Sequence, residues 1–599
     1  MLSAFGCVAA FLLLMLCFNG SEVGRSEECL IYVALGLVCA AFLTSLTHPR
    51  NIKVGSVDYL ILALFAYLAI NHYCLSPVSA ETKFWNAAYI FLSYASLRII
   101  IPAYKNIGWF AFAIIIAIGL AESVIGVLQM AGVTTSNNPG YKITGTFFNP
   151  GPMGGYLAIV TSLSLFYIIR YSVILKKLRK NKKNPQYYIY MLCCLTLLAG
   201  SFVLFNTASR AAMLAFSITA VAALSCNKYM KRRIAKFYKT RRKSAIALSL
   251  TVMVAAGVGL LSLYDLKRDS AEARLHIWNM SLRVMCDDPL IGCGLGAWGG
   301  SYASAQAKYF SDNPNSSAMD VAGVPEYGFN EYLYVGAETG IIGLLLLLSA
   351  LGFSAYNLYR SKSPYLFGLM AFMIFAFFSY PLSLLPMQIL VIFFIATAAG
   401  VNDKRAIKAG VTQRIFILFL CAGLFIAGIC MSTPYRTKIY AVKKWKSVSS
   451  LYYSGLYERA GIYYDKLRQT LNDNPRFLFE YGRLLNKLEE YEQSNEVILQ
   501  GAEMSTDPMY WNVIGNNYKS MRDYDHAEES YRYAFDILPN RIYSLYLLMT
   551  LYESTRQEEK TLEMAREVIK FDPKIESEVI DRMKKRASTI LENEKIILQ

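Results

Sequence analysis

The sequence predicts an all-α fold, with a polytopic membrane domain of about 12–14 transmembrane helices followed by an α-solenoid of tetratricopeptide-like repeats. Only 17% of the 599 residues are charged and 55% are hydrophobic, whereas soluble globular proteins carry about 25% charged residues. Apolar runs long enough to cross a bilayer recur up to residue 431. From residue 432 onward the sequence becomes charged and tyrosine-rich, with helical periodicity.

Thirteen segments have the length and apolar composition of a membrane span. The first lacks the basic residues that begin a signal peptide, so we interpret it as a transmembrane helix. The pairs 187–225 and 364–401 are hairpins with very short turns, so the count within each pair stays open. The segments are 2–19, 30–47, 57–75, 84–101, 108–131, 153–172, 187–206, 209–225, 245–264, 337–358, 364–381, 384–401 and 415–431.

Clusters of lysine and arginine between the spans predict the orientation of the membrane domain. Six basic residues lie between 175 and 186 and nine between 227 and 244; such clusters face the cytoplasm. The N-terminus is then cytoplasmic, and the loops 132–152, 206–210 and 265–336 are extracytoplasmic. Because the net charge of +17 is concentrated in short loops, it suits anionic lipid better than nucleic acid, which is not predicted as a partner.

The C-terminal region carries the signature of a helical repeat. Prolines 475, 508, 539 and 573 are spaced by 33, 31 and 34 residues, near the 34-residue tetratricopeptide period. The residues that fit this pattern within one repeat are Trp511, Ile514, Gly515, Tyr518, Ala527, Tyr531 and Pro539.

These features divide the chain into a membrane domain over 1–431, a linker over 432–450 and a repeat domain over 451–599. Thirteen spans place the repeat domain outside the cytoplasm. Five lysines and arginines between 436 and 446 favour the opposite side, because basic residues beside a span prefer the cytoplasm. We expect the extracytoplasmic placement.

Two arginines from distant segments are candidates for binding an anion at the outer face. Arg210 follows the hairpin turn at 206–210, and an arginine at membrane depth is costly unless it has a partner. Arg274 precedes Trp278 on a predicted amphipathic helix of the central loop. Since a guanidinium donates two parallel hydrogen bonds to phosphate oxygens, together they could hold a diphosphate.

Other readings of these basic residues stay open. Arg210 could extend its side chain to the lipid headgroups instead, and Arg268 could belong to an ordinary solvated basic patch. Arg268 and Lys142 are nevertheless further candidates for contacts with the diphosphate.

Cysteine and histidine spacings give little sign of metal binding. No CxxC pair or Cys/His spacing typical of zinc occurs, and neither a metal nor a cofactor is predicted. Cys286 and Cys293 share the central loop, where they could form a disulfide if that loop is extracytoplasmic, or remain separate buried thiols.

Four segments, in this order, resemble the O-antigen ligase and polymerase superfamily. They are Gly145–Ala158, Ser209–Ala212, Arg274–Gly296 and Asn330–Leu344, and they span about 200 residues of the membrane domain. The resemblance implies a glycosyltransferase of the bacterial inner membrane that moves a glycan from undecaprenyl diphosphate to an acceptor hydroxyl in the periplasm. Some members of the superfamily carry C-terminal repeats.

The resemblance leaves the acceptor open. It can be lipid A–core in lipopolysaccharide biosynthesis by a ligase, another repeat unit for a polymerase, or a protein hydroxyl in protein O-glycosylation by an oligosaccharyltransferase. The repeats are expected to bind a protein partner, which could be the acceptor, its machinery or a second copy of the chain.

By resemblance, Arg210 and Arg274 are the arginines that contact the diphosphate. Family ligases commonly place a histidine before the asparagine of the last motif, whereas this sequence has Phe329. Glu331 and Glu326 flank that position and are the candidate general bases; Tyr327 and His276 are further candidates. The remaining motif residues, expected to be structural, are Gly145, Asn149, Trp278, Gly294, Gly296, Asn330 and Glu338.

A polytopic transporter with a repeat-domain scaffold is the alternative from another class. Transporters commonly show internal repeats and paired, interrupted helices, and no such symmetry is visible in this sequence. A central loop of 70 residues with tryptophan and glycine motifs is also more than transport requires. The sequence therefore favours the transferase.

Overall fold

The computed structural model describes residues 2–16, 25–48, 52–171, 185–226, 239–241, 268–401, 410–573 and 576–597. Within these ranges every regular element is a helix. The all-α prediction is therefore confirmed for the described part of the chain.

The described membrane domain contains eight helices that are long and apolar enough to cross a membrane: Ser26–Thr47, Ser56–Leu75, Glu81–Ala103, Ile107–Met130, Pro150–Tyr171, Pro185–Asn206, Glu331–Arg360 and Val411–Tyr453. Four shorter apolar helices are Leu2–Leu16, Arg210–Cys226, Tyr365–Ala376 and Leu385–Ala399. Each of these helices corresponds to a predicted span. The predicted span 245–264 lies outside the described residues, as do the basic cluster at 176–183 and most of that at 228–243.

The helix Pro150–Tyr171 is the most buried of these spans. Its first turns carry adjacent glycines that allow neighbouring helices to approach closely. A Cβ atom at Gly154 would lie 2.8 Å from the hydroxyl of Thr207, and one at Gly155 would overlap the ring of Phe375. The small residues of this motif therefore set the position of the turn that leads into Arg210.

The central loop folds as a small helical unit of its own. It contains the helices Arg268–Asp287 and Trp298–Asp312 and the 3₁₀ helix Ser317–Val321. Ile277, Met280, Val284, Trp298, Tyr302 and Ala337 form its buried core. Cys286 and Cys293 are both free thiols, so the disulfide is absent. Cys286 is exposed and Cys293 is partly buried, so the alternative of two buried thiols is wrong for Cys286.

The chain ends in a series of paired short helices, here called the helical array (Tyr457–Ile597). Gly482 packs against Ile498 and Gly515 against Tyr531, and a Cβ atom at either glycine would overlap its partner. The two contacts are 33 residues apart in sequence. The helices are Tyr457–Arg468, Pro475–Lys487, Tyr491–Ala502, Met509–Ser520, Tyr524–Ile537, Ile542–Ser554, Glu558–Lys570 and Glu578–Ile597. Their assignment as tetratricopeptide repeats stays a prediction.

One helix joins the membrane domain to the helical array. Val411–Tyr453 has 43 residues and continues from the last predicted span through the segment predicted as a linker. Its Lys438 ammonium lies 3.0 Å from Glu81 and 2.6 Å from Asp473, and Lys443 lies 2.7 Å from Glu28. Two of the basic residues that argued for a cytoplasmic array are therefore paired with carboxylates.

The helical array contacts the central loop directly. The side-chain amide of Gln306 donates to the carbonyl oxygen of Ile537 at 2.6 Å, and that of Asn540 donates to Met319 at 2.7 Å. A Cβ atom at Gly300 would overlap the carbonyl oxygen of Glu503. The array and the central loop therefore share one side of the membrane domain.

Replacing Lys438 by methionine should destabilise this junction, because it leaves the carboxylate of Asp473, which is 8% exposed, without its cation. Removing one partner of a buried pair costs about 3–5 kcal/mol. We expect a lower midpoint of thermal unfolding for the purified protein in detergent. Lys443→Met is the matched control, because its pair is half-exposed and is worth about 1 kcal/mol or less. Equal midpoints for the two variants would contradict this assignment.

Candidate functional site

The candidate site is built on a break in the helix Glu331–Arg360. Gly340 has φ 64° and ψ −172°, so the carbonyls before it no longer accept helical hydrogen bonds. The backbone N–H groups of Cys293 and Gly294 donate to the carbonyls of Ala337 and Glu338 at 2.9 and 3.0 Å. The central loop is thus attached to the membrane helix by main-chain hydrogen bonds, and the two motifs in which these residues lie form one structural unit.

Arg210 and Arg274 lie close enough for their charges to interact. Arg210 begins the helix Arg210–Cys226, and Arg274 lies on the helix Arg268–Asp287. Burial lowers the pKa of the Arg274 guanidinium, and the positive charge of Arg210 lowers it further. The two guanidinium groups carry like charges and repel each other. A bound anion relieves that repulsion. A diphosphate, which accepts paired hydrogen bonds from guanidinium groups, fits this arrangement.

A segment that sequence reasoning missed supports Arg274. Residues 377–384 were predicted as the ends of two spans, but the flanking helices are Tyr365–Ala376 and Leu385–Ala399, and between them lies an irregular stretch with one 3₁₀ turn. Irregular backbone at membrane depth is tolerated where protein buries it or where it lines a cavity. The Phe378 carbonyl accepts a hydrogen bond from Arg274 at 3.3 Å. Two prolines, 381 and 386, were the available sequence signal.

The motif around Phe329 is held in an unusual backbone conformation. Phe329 has φ 48°, and its carbonyl accepts a hydrogen bond from the Trp278 indole at 3.1 Å. Its ring packs against the Arg274 guanidinium at 5.2 Å. Asn330 caps the next helix, since its side-chain oxygen accepts from the backbone N–H groups of Tyr332 and Leu333. Trp278 and Asn330 therefore position this turn.

The two candidate bases lie in different surroundings. Glu331 is 2% exposed, and its carboxylate accepts a hydrogen bond from the backbone N–H of Leu382 at 2.7 Å. It is therefore anchored to the same irregular segment as Arg274. Glu326 is exposed and forms an ion pair with Arg476 of the helical array. The structure therefore brings Glu331, rather than Glu326, to the segment that holds the arginine.

Glu338 connects three parts of the molecule, as expected for a structural residue. Its carboxylate accepts from the backbone N–H of Gly296 at 2.8 Å and pairs with the Lys83 ammonium at 2.6 Å. Lys83 also donates to the Tyr334 hydroxyl at 2.6 Å. Sequence reasoning missed Lys83, although a lysine in the first turn of an apolar span was a visible signal. Gly294 and Gly296 have φ 104° and 88°, which favours glycine at both positions.

The loop before the helix Pro150–Tyr171 also lies near the irregular segment 377–384. Gly145 has φ 59° and donates its N–H to the side-chain oxygen of Gln129 at 2.8 Å. Asn149 accepts a hydrogen bond from the N–H of Gly151 at 2.9 Å. Burial raises the pKa of Tyr380, and Tyr141 of this loop contributes to the rise. Gly145 and Asn149 therefore shape a loop that reaches the irregular segment.

Lys142, Arg268 and His276 are three further residues that the sequence analysis singled out. Lys142 is exposed on the same loop. Arg268 is exposed and pairs with Glu272 at 2.7 Å; it lies six residues before Arg274, about 9 Å along the helix. His276 is buried against Gln306 at 3.0 Å, and burial lowers its pKa. His276 therefore stabilises the contact between the central loop and the helical array.

Tyr327 lies between the irregular segment 377–384 and the helical array. Its ring stacks on Tyr380 at 4.1 Å. Burial raises its pKa, and the charges that act on it are those of Glu326, Arg476, Lys83 and Glu331. Among the described residues, no group of three or more histidines, cysteines and carboxylates could hold a metal ion.

Comparison with known proteins gives one family match. The family model described as O-antigen ligase matches residues 195–348. This range includes Arg210, Arg274 and Glu331, whereas the segment 377–384 and the loop around Gly145 lie outside it. No curated protein matches the chain.

Replacing Gly340 by alanine should dissociate the central loop from the broken helix, because a Cβ atom there would overlap the Leu290 carbonyl oxygen at a φ that alanine disfavours. We expect a lower thermal midpoint and faster maleimide labelling of Cys293, whose pKa burial raises to about 12. Labelling of each cysteine can be followed by mass spectrometry. Gly352→Ala on the same helix, where a Cβ atom meets nothing within 4 Å, is the control. Unchanged protection of Cys293 in Gly340→Ala would contradict this account.

Proposed function

Since the chain contains an O-antigen ligase family domain and is a lipid-linked glycan transferase, we propose that its donor is a glycan carried on undecaprenyl diphosphate. The acceptor is a hydroxyl group on the periplasmic face of a bacterial inner membrane. The observation that carries this proposal is the proximity of Arg210 and Arg274, which come from distant segments and meet beside buried, irregular backbone.

In the proposed reaction the acceptor oxygen attacks the anomeric carbon of the donor sugar. The bond from that carbon to the diphosphate oxygen breaks, the new glycosidic bond forms with inversion, and the acceptor proton passes to a base. Arg210 and Arg274 stabilise the negative charge that develops on the departing lipid diphosphate. Glu331 accepts the proton, because it is the carboxylate anchored to the same segment as Arg274.

Two features support a periplasmic placement of the site. The helical array and the central loop share one side of the membrane domain. Counted along the predicted spans, the loops rich in lysine and arginine fall on the opposite side. The pairing of Lys438 and Lys443 with carboxylates removes part of the objection that basic residues after the last span raised. Paired charges are less costly to place on either side of a bilayer.

The arginine pair can be tested with the purified protein in liposomes that contain a lipid-linked glycan. The variant Arg210→Ala/Arg274→Ala should lose at least about 100-fold in glycan transfer, because removing one such donor costs about 10²–10³ in rate. Arg283→Ala, an exposed arginine on the same helix as Arg274, serves as the control. Undiminished turnover of donor in the double variant would sink the assignment of both arginines.

Glu331→Gln separates proton transfer from donor binding. Glutamine retains an oxygen that can accept the hydrogen bond from Leu382 but cannot take up the acceptor proton. We expect kcat to fall by about 10²–10⁴-fold, with the affinity for a fluorescent lipid-linked donor unchanged. A variant with the wild-type kcat would show that another group accepts the proton.

A further inference from the structure

We propose that a cleft between the helical array and the central loop binds the acceptor, and that this acceptor is an extended polypeptide segment that presents a hydroxyl. The inference rests on the proposed function and adds the acceptor class to it. The cleft, here called the array cleft, has a volume of about 590 Å³ and is lined by Lys83, Tyr334, Glu326, Tyr453, Arg476 and Arg483 among others. This volume is typical of sites for small ligands or short segments.

The chain that lines the array cleft continues into residues that contact Arg274. Glu326 lines the cleft, the next residue, Tyr327, stacks on Tyr380 at 4.1 Å, and Phe329 contacts both Tyr380 and Arg274. Three peptide units separate Glu326 from Phe329 and span at most about 11 Å. A single short stretch of chain therefore joins the cleft to the contacts of Arg274, and we infer that a group of the bound ligand is presented there to the donor.

Lys83 is one of the residues that line the array cleft. Its side chain is 40% exposed, although its ammonium is held by Glu338 and by the Tyr334 hydroxyl. An ammonium has three donors, so one remains for a ligand carbonyl or hydroxyl. Because Glu338 also binds Gly296, the position of this donor is fixed by the same contacts that attach the central loop.

The charges around the array cleft favour a polypeptide over a polyanionic lipid headgroup. Its basic residues, Lys83, Arg476 and Arg483, are outnumbered by the acids Glu326, Asp473, Glu480 and Asp507. A phosphorylated headgroup would meet these four carboxylates, which like-charge repulsion disfavours. A peptide offers amide groups and side chains of both signs.

Exposed side chains at the rim suit an extended segment. Tyr453 is largely exposed. The Arg483 guanidinium lies over the rings of Tyr452 and Phe479 at 6.0 and 5.7 Å. An aromatic surface with guanidinium groups can contact both the apolar and the polar parts of a peptide. Arg483 and Phe479 belong to the helical array, whereas Tyr452 and Tyr453 form the C-terminal end of the long helix Val411–Tyr453.

The test uses full-length protein in nanodiscs with a lipid-linked glycan donor. Three acceptors are offered separately: a library of synthetic decapeptides that contain serine or threonine, lipid A–core, and a free glycan repeat unit. We expect transfer to peptides, and Arg483→Glu should raise the KM for peptide about 10-fold while the KM for donor stays unchanged. Arg459→Glu changes an exposed arginine of the neighbouring helix Tyr457–Arg468 that does not line the cleft, and it should leave both values unchanged.

A photoreactive benzophenone at Tyr453 gives a second readout that needs no turnover, and it should crosslink to the labelled peptides. Transfer only to lipid A–core or to the repeat unit, or a peptide KM that Arg483→Glu and Tyr453→Ala leave unaltered, would overturn the inference and leave the proposed function standing. Absence of transfer to all three acceptors would overturn the proposed function, and this inference with it.

Discussion

The structure depends on one main-chain contact, in which the loop before Gly294 fills the break at Gly340. A helix that passes through a bilayer must satisfy its own backbone groups, and here the carbonyls released by the break are taken up by Cys293 and Gly294. The same contact places Glu338 beside Gly296 and Lys83. A local defect in one helix thereby fixes the central loop, and the central loop in turn supports the helical array.

Around this contact the protein collects groups that would be costly to bury alone. Arg274 satisfies part of its guanidinium on the Phe378 carbonyl, and Glu331 satisfies its carboxylate on the Leu382 N–H. Both partners come from the irregular segment 377–384, which separates two short apolar helices. Irregular backbone supplies N–H and C=O groups that a helix would use internally, so the same segment provides a hydrogen-bond partner for both a cation and an acid.

The sequence predicts the helices of the membrane domain well, because apolar length is a local property. It also marks Arg210 and Arg274 as candidates, since an arginine beside a span needs a partner wherever the chain folds; their role in binding a diphosphate stays a prediction. Lys83 and the segment 377–384 were missed because their roles arise from contacts with residues some 50 to 250 positions away in sequence, such as Glu338 and Glu331. The sequence could not predict the different surroundings of Glu326 and Glu331, which are only five residues apart. Glu326 pairs with Arg476 of the helical array, whereas Glu331 is buried against Leu382.

The long helix Val411–Tyr453 contains Pro434, which removes a main-chain hydrogen bond where the helix leaves its apolar section. A bend at that point would swing the helical array away from the membrane domain. One turn later, Lys438 forms ion pairs with Glu81 and Asp473. These ion pairs stabilise the helix next to Pro434. Because the side chains of Lys438 and Asp473 are largely buried, dissolved salt screens their attraction little. The contact that holds the helical array against the membrane domain is therefore expected to depend little on ionic strength.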